Sequence, residues 1–193
     1  MKNNLLLFSI ILMLASCVNP VARKPIVRKS SSFMKESIQL NKSLNAVEEK
    51  AIDEIIMQDS LSNYIASPNG FWYKYDLKST NNKLPEFGDK LSYSYSVSDL
   101  NNVLIYTQES IGDKTYMVDQ QDIIEGLRNG LKLMNEGEIV TFLFPSYKVY
   151  GYLGDENKIG INQPLIYKVK LNKINKKNKI NTKNEINYKN ENN

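Results

Sequence analysis

The sequence predicts an α+β fold, an antiparallel β-sheet wrapped around one helix and preceded by a long N-terminal helix. Three observations carry this expectation. Between Asp122 and Met134, the residues Ile123, Ile124, Leu127, Leu131 and Met134 recur at spacings of three and four, which places them on one face of a helix. Leu91 to Val97 (LSYSYSV) alternates with period two, the mark of a strand with one buried face. Residues 35–66 show helical spacing again, in Ile38, Leu44, Val47, Ala51, Ile55 and Ile56 with Ile52 beside them, ahead of any strand.

The elements follow in chain order. Met1–Asn4 is short and polar, and Leu5–Leu14 is almost wholly apolar. So short an apolar run cannot cross a hydrocarbon core of ~30 Å and reads instead as the centre of a secretory signal over residues 1–16. Cys17, the only cysteine of the chain, follows Leu14-Ala15-Ser16. Residues 17–34 contain Pro20, Pro25, four basic side chains and the run Ser30–Ser32, the composition of a solvated linker. In the helix at 35–66, Glu48, Glu49, Lys50, Asp53 and Glu54 are expected on the solvent face. The apolar face then has to bury against the following domain or against a partner, a second copy included. Ser67-Pro68-Asn69-Gly70 closes the helix as a turn.

The domain proper is expected over residues 70–171. Gly70–Tyr75 is an aromatic strand and residues 78–83 a polar loop. In the strand at 91–97, Leu91, Tyr93, Tyr95 and Val97 share the buried face. Asp99-Leu100-Asn101-Asn102 has turn chemistry, and Val103–Thr107 returns as the second arm of a hairpin. After the helix, Asn135-Glu136-Gly137 stops it, and Ile139–Phe144 and Leu165–Leu171 supply two further strands. Residues 172–193 carry six lysines against two glutamates and are rich in asparagine, a composition that stays disordered.

Composition removes whole classes of function. With no histidine and one cysteine, the chain cannot build a Ser-His-Asp or Cys-His constellation, a Cys/His zinc site or an intrachain disulfide. No cofactor and no metal are expected. The net charge of +4 belongs to the tail, because the rest of the chain balances at 19 basic and 19 acidic residues. No basic stripe with interleaved aromatics exists for nucleic acid, so nucleic acid is not an expected partner.

Gly88-Asp89, Tyr95, the Asp99–Asn102 hairpin, Ile123-Ile124-Glu125-Gly126, Pro145-Ser146 with Tyr150-Gly151, and Leu165-Ile166-Tyr167 follow one another over residues 88–171. This ordered set resembles the FKBP-type peptidyl-prolyl cis-trans isomerases. The resemblance implies an FKBP-like fold and isomerisation of X-Pro bonds in proline-containing polypeptide clients. It implies Tyr95, Ile124 and Tyr150 as the catalytic groups, the last two through a backbone amide and a hydroxyl. It implies Ile105, Tyr106, Tyr116, Ile123, Leu127 and Tyr167 as the substrate-binding groups. Leu127 stands where the best-known members have a tryptophan. Tyr106 stands where active members have an aspartate, so the pocket is expected to lack that carboxylate, and 152–160 lacks the family's usual prolines.

Leu14-Ala15-Ser16-Cys17 resembles the lipobox of bacterial lipoproteins, which implies lipidation at Cys17 and a membrane partner through that anchor. Val18 after the cysteine implies the outer membrane, on its periplasmic side. The full layout resembles the gliding-motility-associated isomerase lipoproteins of Bacteroidetes. The helix at 35–66 is expected to serve either its own domain or association with a partner or itself. The rival readings are a catalytically weak or inactive binding or chaperone module on the same fold, and a structural envelope lipoprotein.

Overall fold

A computed structural model describes residues 30–177. Among the described residues the chain divides into two units, residues 30–38 and 39–177. The expected signal peptide, Cys17, most of the linker and the tail beyond residue 177 lie outside the described residues.

Helix α1 spans Ser30–Gln58, so it begins before Lys35 and stops short of Ile65. It stops because the Asp59 N–H closes on the Ile55 carbonyl and the Ser62 N–H turns back to the Asp59 carbonyl, both at 3.0 Å. Ile65 and Ala66, expected as the end of the helix, instead belong to strand β1, Ile65–Ser67. It pairs with β2, Phe71–Leu77, in the register Ser67↔Phe71, which leaves a three-residue hairpin loop. Such loops end in a left-handed residue, and Gly70 supplies it at φ +76°. No helix among the described residues is long and apolar enough to cross a membrane.

The remaining strands are β3 (Lys90–Ser98), β4 (Leu104–Tyr106), β5 (Lys114–Met117), β6 (Ile139–Phe144) and β7 (Leu165–Asn175). Together with β1 and β2 they form one seven-stranded sheet in the order β1-β2-β6-β7-β3-β4, with β5 also on β3. Every pairing is antiparallel. The five expected strands are present, and β1 and β5 are additional. The expected hairpin is β3–β4, its turn held by the Asp99 carboxylate, which accepts the N–H groups of Asn101 and Val103 at 2.9 and 2.8 Å. Strand β7 runs past Leu171, where the tail was expected to begin. Leu91 and Lys90 of β3 pair with Ile174 and Asn175, and the Glu136 carboxylate accepts the Ile174 N–H. Beyond it, Asp89 takes the Lys177 N–H at 2.9 Å.

The inner face of the sheet packs on helix α3, Glu125–Leu131, which is shorter than the expected 122–134. Two 3.0–3.2 Å hydrogen bonds, Leu133 N–H to Gly130 and Met134 N–H to Leu131, continue the turn and carry Met134 into the core. Gly126 and Gly130, four apart, face the sheet. A Cβ at Gly126 would lie 2.8 Å from the Phe144 ring, and one at Gly130 would lie 2.9 Å from Phe142. At these two positions the helix backbone therefore rests directly on the aromatic rings of β6. Leu91, Tyr93 and Val97 are buried on this face, as the alternation implies, with Tyr95 half-buried.

The outer face receives α1. Ile52 is fully buried against Leu143 and Ile166, with Ile55, Ile56 and Trp72 packed around them. The expected partition of α1 is corrected at three positions. Ile38 and Val47, assigned to the apolar face, are 50% and 68% exposed, whereas Glu48, assigned to solvent, is 7% exposed. Glu48 lies four residues from both Leu44 and Ile52 and so shares their stripe. Its burial is supported by Ser146, whose N–H and Oγ each donate to the carboxylate at 2.7 Å.

Candidate active site

Pro145 closes β6, and Ser146–Lys148 then makes a single 3-10 turn, with the Lys148 N–H on the Pro145 carbonyl and the Val149 N–H on Ser146. The turn is pinned from two sides. Glu48 of α1 holds Ser146, and Lys148 makes a 2.7 Å ion pair with Glu125 of α3. The Gly151 N–H returns to the Ser146 carbonyl at 2.8 Å, which fixes Tyr150 between them.

Tyr150 forms one wall of a cavity of about 260 Å³ whose other walls are Tyr95 and Val97 of β3, Tyr106 of β4, Ser110, Ile111, Lys114 and Asp155. Ser110 and Ile111 arrive on a short helix, α2 (Gln108–Ile111), capped by Thr107, whose Oγ1 accepts the Ser110 N–H. Gly112, at φ +72°, redirects the chain into β5 and brings Lys114 to the rim. Beneath the cavity, Tyr95 stacks on Tyr167 with ring centroids 5.4 Å apart, and Tyr167 meets Phe144 edge-on at 5.5 Å. The Tyr167 hydroxyl is buried with no hydrogen-bond partner among the described residues.

The structure thus brings Tyr95, Tyr106 and Tyr150 together at one cavity. The other residues expected at the site belong to its support. Tyr116 and Tyr167 are fully buried, and Leu127 is 2% exposed. The Tyr116 hydroxyl accepts the Asp119 N–H at 2.9 Å and so faces away from a ligand's reach. Ile105, Ile123 and Ile124 are half-buried and pack against the core. Ile124 caps α3, and its N–H has no acceptor among the described residues. Val97, Ser110, Ile111, Lys114 and Asp155 were not anticipated.

Tyr106 stands where the family's aspartate would be, and a carboxylate that was not anticipated, Asp155, sits beside it. It comes from the segment after Tyr150-Gly151, and its Oδ2 accepts the Tyr106 hydroxyl. Its Oδ1 accepts the N–H groups of Asn157 and Ile159 at 3.0 and 2.7 Å. The one local signal was the Gly-Asp-Glu-Asn run at 154–157, since an aspartate that accepts the N–H two residues on makes an Asx turn. The partner 49 residues away left no such signal.

The electrostatics keep every hydroxyl in the cavity protonated at neutral pH. Burial pushes Tyr95 and Tyr150 above the ordinary tyrosine value of 10, and burial raises Tyr167 further. The Asp155 carboxylate, with burial second, raises Tyr106. For Asp155 itself burial acts upward, but the Tyr106 hydroxyl and the N–H groups of Ile159 and Asn157 outweigh it and hold the carboxyl below its ordinary range. A cavity walled by tyrosine rings, Val97 and Ile111, with neutral hydroxyl donors and a fixed carboxylate, is unsuited to nucleophilic attack. It can desolvate a planar group and donate hydrogen bonds to it.

Residues 81–172 match the family model described as FKBP-type peptidyl-prolyl cis-trans isomerase. Among solved structures, the chain is similar to a peptidyl-prolyl cis-trans isomerase from Pseudomonas syringae pv. tomato, with a TM-score of 0.57 and 16% identity. The likeness covers 70% of this chain and 96% of that one, and it shows a shared fold. No curated protein matches the sequence.

Proposed function

We propose, from the premise that residues 81–172 are a domain of the FKBP-type peptidyl-prolyl cis-trans isomerase family, that the Tyr95–Tyr106–Tyr150 cavity is where this enzyme turns X-Pro bonds. The observation that carries the assignment is the convergence of three neutral tyrosine hydroxyls and their rings, with Val97 and Ile111, on one cavity of about 260 Å³. An X-Pro amide prefers trans by only ~0.5–1 kcal/mol, yet rotation must break a resonance that sets a barrier of ~18–20 kcal/mol. The planar amide is more charge-separated than the twisted one, so a site that strips water favours the twisted form. Tyr150, held by the turn that Glu48 and Glu125 pin, is the hydroxyl placed to donate to the substrate carbonyl. Tyr95, stacked on the buried Tyr167, forms the flat wall for the proline ring. No proton moves and no covalent bond forms, consistent with a chain that has no histidine.

Exchange NMR on an X-Pro peptide tests this, using the full chain in detergent. Catalysed exchange is expected, and Tyr150→Phe should lower it by on the order of tenfold, the net worth of one neutral hydrogen bond. A folded protein that leaves the exchange rate unchanged would favour the binding-module reading, whose support is the tyrosine at 106.

We further infer that the chain works at the cell envelope as a lipoprotein anchored through Cys17, assisting the folding of envelope proteins, gliding components included. The support is Leu14-Ala15-Ser16-Cys17 behind an apolar segment, with the chain's one cysteine at that place. Each buried CH₂ of an attached acyl chain adds ~0.8 kcal/mol to membrane affinity. Palmitate labelling that survives in Cys17→Ser would remove the anchor from this reading.

A further inference from the structure

We propose that Tyr106 and Asp155 form a latch that holds the 150–164 loop against β4, and that both act as positioning residues for the Tyr150 hydroxyl. The inference rests on the isomerase reading of the cavity.

The contacts between the loop and β4 converge on one phenol. Asp155 accepts the Tyr106 hydroxyl, Asn157 Nδ2 donates to the same oxygen at 3.1 Å, and Lys158 Nζ lies 5.2 Å from the centre of the Tyr106 ring. The other oxygen of Asp155 organises the loop itself through the Asn157 and Ile159 N–H groups. The backbone is shaped for this turn. Gly154 has φ +67°, and a Cβ there would lie 2.4 Å from the Ile159 carbonyl oxygen, so only glycine turns the chain inward at this point.

The remaining hydrogen bonds of the loop are internal to it or lie at its base, among them Asp155 N–H to the Ile159 carbonyl at 3.2 Å and Gly151 N–H to the Ser146 carbonyl at 2.8 Å. Ile159 is buried and the Asn162 N–H returns to Gly151 at 2.7 Å, but Tyr152, Leu153 and Ile161 are 76%, 65% and 69% exposed. Tyr150 begins this loop and shares the cavity with both latch residues. The 145–151 turn fixes the backbone of Tyr150, and a loop closed at residue 155 walls in its side chain beside Tyr95 and Tyr106. A hydroxyl that must meet a twisted amide loses effectiveness when it samples positions away from the reacting geometry. The latch therefore acts on turnover more than on substrate binding.

The full chain in detergent, with Asp155→Asn, Tyr106→Phe, their double variant and the exchanged pair Tyr106→Asp/Asp155→Tyr, tests this. Each single variant should lower kcat about tenfold with KM nearly unchanged, and the double variant should be no worse than the more impaired single, as for two groups acting as one unit. The exchanged pair, which restores a carboxylate facing a phenol, should recover part of the loss. Chymotrypsin should cut at the exposed Tyr152–Leu153 faster in each single variant than in the parent. Additive losses, unchanged kcat, or equal cleavage rates would overturn the latch. A parent chain that catalyses nothing, with the cleavage rates still separating, would overturn the isomerase reading and leave the latch as a loop device only.

Discussion

On the inner face of the sheet Phe71, Phe142, Phe144 and Tyr167 touch ring to ring at centroid distances of 5.1–5.9 Å, and α3 lies on them through two glycines. On the outer face only Ile52, Leu143 and Ile166 are buried together, and a carboxylate, Glu48, completes the grip of α1 on the domain. Apolar burial has no direction and scales with area. A carboxylate that accepts two hydrogen bonds fixes its partner in space. The inner face accordingly carries the stability of the domain, and the outer face uses a directional contact to set the turn from which Tyr150 projects. Fold and site are supported by different physics on opposite sides of one sheet.

The sharpest way to break this comparison is from the inner face. Phe142→Ala should cost about 3–5 kcal/mol, the transfer term plus a cavity that α3 cannot fill. Denaturant unfolding measures it. A loss below about 1 kcal/mol, the scale of an ordinary surface change, would mean the ring stack is not the main support.

Next come two variants of α1 that separate packing from aim. Ile52→Ala should cost about 2–3 kcal/mol in unfolding yet leave kcat/KM unchanged where the protein is folded. Glu48→Ala should cost a similar amount, about 2 kcal/mol, because the Ser146 N–H and hydroxyl lose their acceptor in a buried place. It should also lower kcat/KM by on the order of tenfold through a displaced Tyr150. If the two variants lose activity in the same proportion to stability, the outer face has no aiming role.

The smallest effect concerns a third carboxylate, Asp89, which sits at the start of β3 and is 2% exposed. Burial alone acts upward on its carboxyl, but the N–H groups of Glu86 and Lys177 and the Lys176 ammonium, 2.9 Å away, outweigh it and hold it below the ordinary 3.8. The folded value is thus below the unfolded one. Its contribution is present above pH 3.8 and is lost as pH falls through the folded value. Asp89→Asn should lower stability at neutral pH, where the contribution of the carboxylate is fully present, and flatten the curve below about pH 4, where the parent loses it. An unchanged acid slope would remove Asp89 from the acid response.

Side-chain periodicity and turn chemistry, both local, were sufficient for most elements. The β6 run needed no correction, and the β3–β4 hairpin followed from an Asp that caps its own turn. Leu127, Leu131 and Met134 were readable as one buried face because helical spacing is a property of adjacent turns. The same reasoning misplaced Glu48, since a carboxylate on an apolar stripe is normally solvated and only Ser146, 98 residues away, reverses that. Strands β1 and β5 are three and four residues long and carry too little pattern to be seen. They exist because β2 and β3 offer them open edges.

For the site, Tyr95, Tyr106 and Tyr150 were legible by resemblance, but the split between cavity wall and buried support was not. Tyr116, Leu127 and Tyr167 carry the same kinds of side chain as the wall residues, and only packing decides which of them meets solvent. The sequence by itself determined the α+β class, the antiparallel strands, the helix face and the absence of imidazole chemistry, because each depends on residue type and near-neighbour spacing. The tertiary structure alone decided that Glu48 is buried, that β7 continues to Asn175 and that Asp155 supplies the pocket's carboxylate. In all three, the deciding hydrogen bonds join groups far apart in the chain, whose meeting depends on the whole sheet being closed.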